Sequence, residues 1–146
     1  MKLSLNNIVY ENIPRYGEPT LILPRLGQGS FRVLVTDAYN RRCTITGERT
    51  LPVLDAAHIK PFSEKGNNAV NNGILLRKDF HALFDKGYLT ITPSMNVEIS
   101  RKIKEEFENG KDYYKYHGNK ILLPIDHDRI PSSEYLDWHN INVYRG

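Results

Sequence analysis

Cysteine is almost absent: Cys43 is the only one in the chain. No disulfide can close within it, and a reducing compartment, the cytoplasm, is the expected location. A structural zinc site on paired cysteines is excluded for the same reason, because Thr46 stands where the second cysteine of a C-x-x-C would fall. Long hydrophobic runs are missing too. Ile121-Leu122-Leu123 is among the longest, far below the roughly 20 apolar residues of a membrane-spanning helix, so no membrane partner is expected. Met1 to Leu5 breaks into Asn6-Asn7 with no apolar signal core. Nor is charge strongly one-sided. Twenty basic against 17 acidic residues leave a formal +3, which permits a polyanionic partner without demanding one.

What remains is an ordinary globular composition, 40% hydrophobic and 25% charged over 146 residues, enough for one domain with a buried core. Residues 1–26 contain Pro14, Pro19 and Pro24 without a helical period, and an arm of edge strand or ordered loop is expected there. Residues 27–126 read as the core, and 127–146 as a C-terminal helix entered at Pro131-Ser132-Ser133-Glu134. Phe31, Leu34, Val35, Ala38 and Tyr39 recur on one helical face, with Ser30 as N-cap and a stop near Asn40. Thr44 to Glu48 reads as a short strand and turn, Leu51 to Ile59 as a second strand, and Lys120 to Pro124 as a brief third. Tyr88 to Ile91 and Val97 to Ile99 flank Pro93-Ser94-Met95-Asn96 as a hairpin. Lys102 to Asn109 reads as a short charged helix.

The chemistry concentrates between Asp55 and Asp85, in DAAHIKPFSEKGNNAVNNGILLRKDFHALFD. Side chains alternate along a strand, so Asp55 and Ala57 share one face and His58 points to the other. After Asn71-Asn72-Gly73 the period becomes helical: Leu76, Phe80, Leu83 and Phe84 form an apolar stripe, and Gly87 suits a left-handed helix end. His81 and Asp85, at i and i+4, lie about 40° apart on a neighbouring face and are able to share one cation. A carboxylate in the set suits a hard, oxygen-preferring ion. An imidazole on a strand opposite a cation on a helix provides a base for water and a counter-charge for phosphate, the two needs of phosphodiester hydrolysis.

Three words in this segment, Ala56-Ala57-His58-Ile59, Asn72-Gly73-Ile74-Leu75-Leu76 and His81-Ala82-Leu83-Phe84-Asp85, resemble the HNH endonuclease motif of the ββα-metal fold. Arg25 to Gln28, Phe31-Arg32, Cys43 to Gly47 and Tyr135 to His139 are similar to the same subgroup, so the resemblance spans roughly residues 25–140. It implies an α+β fold: a ββα-metal core at about 51–87, flanking helices and a small antiparallel hairpin. It implies a divalent-metal-dependent endonuclease with His58 as general base, Asn72 pinning the loop that orients it, and His81 as a metal ligand. Many members carry Asp or His where this chain has Ala57. The missing ligand is then Asp85 by helical geometry, Asp55 second (roughly 6–7 Å along the strand from Ala57) and Asp79 third.

One divalent ion is expected, Mg²⁺ or Mn²⁺ ahead of Ni²⁺ or Zn²⁺, and the expected substrate is nucleic acid, double-stranded DNA first. A homodimer or a larger restriction or defence assembly would fit the resemblance. Lys60, Arg77, Lys78 and Lys86 surround the site in sequence and suit phosphate contacts, or form an ordinary solvated face. Cys43 and Trp138 read as packing residues, the Tyr113/Tyr114/Tyr116 cluster as core or stacking platform, and His117, His127 and His139 carry no assigned chemistry. The alternatives are a catalytically degenerate nucleic-acid-binding module, suggested by Ala57, and a structural zinc module, for which thiolate and imidazole groups are too few.

Overall fold

The computed structural model describes residues 19–146, with side-chain surroundings given from residue 29 onward. Of the arm expected over 1–26, residues 1–18 lie outside the described residues. Helix α1, Pro19–Ala38, is the first described element. It begins well before Ser30, so Ser30 is no cap and residues 19–26 are neither strand nor loop. The physical reason lies at the front of the helix: Pro19 takes the first position, where its missing N–H and fixed φ cost nothing. Pro24 and Gly27, weak helix formers inside it, hid the extension from the sequence. The apolar stripe is as expected, with Phe31, Val35, Ala38 and Tyr39 buried and Leu34 half-buried.

Residues 44–48 turn instead of forming a strand. Thr44 N–H donates once to Leu75 O (2.8 Å), after which Gly47 N–H bonds back to Cys43 O (2.9 Å) with Gly47 at φ 79°. Cys43 is buried scaffold, its Sγ 3.4 Å from the N–H groups of both Thr46 and Arg77. A 3-10 turn, Leu51–Val53, precedes β1, Leu54–His58, which is therefore shorter than the expected 51–59.

The run after Asn72 is strand before it is helix. β2, Gly73–Arg77, pairs antiparallel with β1, matching Leu54 to Arg77 and His58 to Gly73. Ile74-Leu75-Leu76 is buried on both faces, and such an apolar run carries no period that separates strand from helix. Helix α2, Lys78–Lys86, starts only at Lys78 and ends at Gly87, whose φ of 86° is the expected left-handed cap. Strands β1 and β2 and helix α2 together make the ββα unit. Helices α1 and α2 both pack against the β1–β2 ribbon. Phe80 and Phe84 of α2 have no exposed surface, and each such ring contributes on the order of 1.5–3 kcal/mol by burial.

The hairpin forms as expected, β3 Leu89–Ile91 against β4 Val97–Ile99. Two short helices follow, α3 Lys102–Phe107 and α4 Lys111–Tyr114. Residues 120–124 are not a strand: Lys120 makes one isolated bridge to Asn96, and Leu122 N–H turns to Thr44 O. Helix α5, Ser133–Asn142, closes the chain against β3. Of the tyrosines, Tyr113 and Tyr116 set their edges against Phe80, and Tyr114 donates its hydroxyl to Ser100 O (2.8 Å). The architecture is α+β, two separate antiparallel pairs among helices.

Candidate active site

β1 ends on His58, and the antiparallel ladder sets that residue opposite Gly73, at the point where the chain enters β2. The side chain of His58 is half-buried. Its ring lies parallel to Phe31 of α1, centroids 4.0 Å apart and planes 3° from parallel, and its Nε2 is 2.8 Å from Asn68 Oδ1. The loop between the strands is tied by Asn72. That side chain is fully buried, its Oδ1 accepting Lys60 N–H (2.9 Å) and its Nδ2 donating to Lys60 O (2.9 Å) and Asn67 O (2.8 Å). It ties Lys60, just after His58, to Asn67, further along the loop that returns to β2.

His81 projects from the first turns of α2 between two carboxylates. Its Nδ1 is 2.9 Å from Asp55 Oδ2, across the β1–α2 contact, and its Nε2 is 3.1 Å from Asp85 Oδ2, one helical turn on. The Asp85 hydrogen bond raises the His81 pKa most, burial opposes it, and the Asp55 bond adds to the rise. Burial alone would raise the Asp55 carboxyl. Hydrogen bonds from Lys78 Nζ (2.6 Å) and His81 outweigh that and hold it below the usual carboxylate range.

A cavity of about 410 Å³ opens between these groups. His58, His81 and Asp85 all line it, together with Ala56, Phe62 and His139. The two imidazoles, far apart in sequence, thus face one space, on opposite elements of the ββα unit. Asp55 and Asp79 are not among the residues lining it. Asp79 instead accepts a two-point contact from Arg77 (2.8 and 3.0 Å) and the Tyr113 hydroxyl (3.1 Å).

Residues 43–92 match the family model described as HNH endonuclease. Over that segment, which includes the ββα unit, the chain is similar to HNH endonucleases. Among solved structures, a protein titled "Modification dependent TagI restriction endonuclease" is similar at 20% sequence identity with a TM-score of 0.53. The match covers 78% of this chain but only 38% of that one, and at this identity it shows a shared fold. No curated protein matches the sequence.

The donors for a cation at this site are few. Among the described residues no group of three or more His, Cys, Asp or Glu side chains converges as a metal site. Ala57, where many family members carry a ligand, is packed in the core at 1% exposure and has nothing to offer. His81 Nε2 and Asp85 form an adjacent nitrogen and oxygen pair on the cavity wall. Asp55 sits behind the ring at Nδ1, where a carboxylate orients a ligating imidazole and raises its basicity.

The basic residues around the site are already engaged to different degrees. Arg77 is held by Asp79 and stacks over Phe80 at 4.8 Å, and Lys78 by Asp55. Lys60 lies over the Trp138 ring at 5.7 Å. Lys86, in the last turn of α2, is exposed. Three site residues were not picked out from the sequence. Asn68 is hidden in a loop of like residues, Phe31 reads as core and as part of a subgroup word without a role of its own, and Phe62, 59% exposed on the cavity rim, carries no signal beyond being an aromatic beside Pro61.

His139 is a further surprise. It is buried, stacks on Phe84 at 3.7 Å, accepts from Thr90 Oγ1 at Nδ1 (2.7 Å) and donates from Nε2 to Phe84 O (2.9 Å). Burial lowers its pKa to about 4. Both nitrogens are committed, so it holds α5 to α2 and β3. No described helix is long and apolar enough to cross a membrane.

Proposed function

We propose that the protein is a divalent-metal-dependent endonuclease that hydrolyses phosphodiester bonds in double-stranded DNA, with His58 as the general base. The observation that carries this reading is one shared cavity lined by His58 from β1 and by His81 and Asp85 from α2. His58 takes a proton from a water molecule, which attacks phosphorus in line with the departing 3′ oxygen. Asn72 holds the loop so that His58 stays at the cavity wall.

His81 and Asp85 are the groups that would hold the ion, with Asp55 orienting His81 from behind. One imidazole and one carboxylate, without thiolate, suit Mg²⁺ or Mn²⁺ better than a structural zinc. Bound there, such an ion supplies stabilisation for the negative charge that builds on phosphate and leaving oxygen. Lys60 and Lys86 are the cations best placed to meet the DNA backbone. Contacts by Arg77 or Lys78 would have to compete with Asp79 and Asp55.

A second reading rests on Ala57 and the small number of donors: a nucleic-acid-binding module that has lost hydrolysis. Supercoiled plasmid, prepared with and without base modification because the TagI neighbour is titled modification dependent, separates the two. Nicked or linear product in Mg²⁺, Mn²⁺, Ni²⁺ or Zn²⁺ supports the nuclease. Intact supercoiled plasmid in every ion and both forms, with the plasmid nevertheless retarded on a gel, supports the binding module.

A further inference from the structure

His58 is held at its edge and at its face by groups that lie outside the three HNH words. The Asn68 amide oxygen meets Nε2 at 2.8 Å, and Phe31, itself buried, lies flat beneath the ring. The loop segment that presents Asn68 is anchored on its upstream side. Asn67 O accepts from Asn72 Nδ2 (2.8 Å), Asn67 Oδ1 accepts Ala69 N–H (3.0 Å), and Asn67 Nδ2 donates to the Tyr135 hydroxyl (2.9 Å). Asn68 therefore follows a residue tied both to Asn72, just before β2, and to Tyr135 of α5.

A neutral imidazole carries one N–H and one lone pair, and the partner at one nitrogen decides which is which. We propose that Asn68 is a positioning residue: its amide oxygen accepts the Nε2 proton of His58 and so keeps the lone pair on Nδ1, the atom that takes the proton from water. Among the described residues no hydrogen-bond partner meets Nδ1. Stacking on Phe31 fixes the plane of the ring, and the Asn68 contact fixes which edge faces the loop. The inference rests on His58 being the base, and it adds which nitrogen acts and what selects it.

The test is the tautomer itself, read from the ¹⁵N shifts of His58 in long-range ¹H–¹⁵N spectra of the full chain, with the signals assigned by their loss in His58→Ala. Wild type is expected to show the Nε2–H form. Asn68→Leu is expected to mix the tautomers and lower kcat about 100-fold, the scale of a misdirected base, with KM nearly unchanged. Asn68→Asp still accepts a hydrogen bond and is expected to keep the Nε2–H form and most of the rate. An unchanged tautomer in Asn68→Leu overturns the proposal. So does an Asn68→Asp variant as impaired as Asn68→Leu, because the amide would then be donating to the ring. Full cleavage by His58→Ala would sink the base reading and leave the tautomer result standing.

Discussion

The rings of Phe31 and His58 lie 4.0 Å apart and 3° from parallel, which joins helix α1 to the end of strand β1 at the point of proposed chemistry. The contact depends on a missing side chain. A Cβ at Gly73 would stand 2.5 Å from Val35 Cγ2 and 2.7 Å from Phe31 Cζ, so only glycine lets the helix settle over the ribbon beside His58. Gly73→Ala is therefore expected to destabilise the fold by about 1–3 kcal/mol, as overpacking does. It should also lower cleavage by displacing Phe31. Chemical denaturation and a plasmid assay check both, and a wild-type midpoint would show that the helix yields without cost.

Removing the base should separate catalysis from binding. His58→Ala is expected to lower cleavage by about 10²–10⁴-fold while leaving DNA affinity and the melting temperature close to wild type. Phe31 loses a stacking partner, but no buried polar group is orphaned, since Asn68 is partly exposed. Wild-type cleavage in this variant would remove His58 from the mechanism.

The two carboxylates at His81 should act differently on metal uptake. His81→Ala and Asp85→Asn delete donors on the cavity wall and are expected to abolish or strongly weaken the Mn²⁺ heat in calorimetric titration. Asp55→Asn acts through the ring and is expected to weaken binding by about 10–100-fold. Because both carboxylates raise the His81 pKa, a proton competes with the ion at Nε2, and wild-type affinity should rise with pH. An Asp55→Asn variant weaker than Asp85→Asn would make Asp55 the ligand.

Acid should loosen the hold of α5. His139 titrates near its ordinary value, about 6.5, when unfolded and at about 4 when folded, so the unfolded chain binds more protons between those values. The stability present above pH 6.5 is lost as pH falls toward 4. In the metal-free chain the raised pKa of His81 works the other way, adding stability below pH 6.5. His139→Gln is expected to cost about 1–3 kcal/mol at pH 7 and to flatten the loss between pH 7 and pH 5. Urea midpoints at the two pH values measure this. Equal losses in both proteins would clear His139 of the effect.

Salt dependence should sort the basic residues. Lys60→Ala and Lys86→Ala are each expected to reduce the slope of log affinity against log salt by about one. Arg77→Ala should leave the slope nearly unchanged and lower stability instead, because Asp79 loses its partner. A slope reduced by Arg77→Ala alone would place the phosphate contact there.

By itself the sequence determined the ingredients of the site: His58 bounded by Pro61, the asparagine of Asn72-Gly73, and the His81/Asp85 pair at helical spacing. These were legible because each depends on local order along the chain, on a strand's alternation or a helix's turn. Gly87 and the β3–β4 hairpin were legible for the same reason. Only the tertiary structure decided what stands beside them. Ile74-Leu75-Leu76 became strand because β1 was there to pair with it, and an apolar run buried on both faces has no period to announce that choice. The helix over Pro19–Ala38 brought Phe31 under His58, the loop brought Asn68 to its edge, and strand-to-helix packing brought Asp55 to His81. Hydrogen bonds and ring contacts between residues distant in the chain follow from how elements pack, and no spacing along the sequence encodes them.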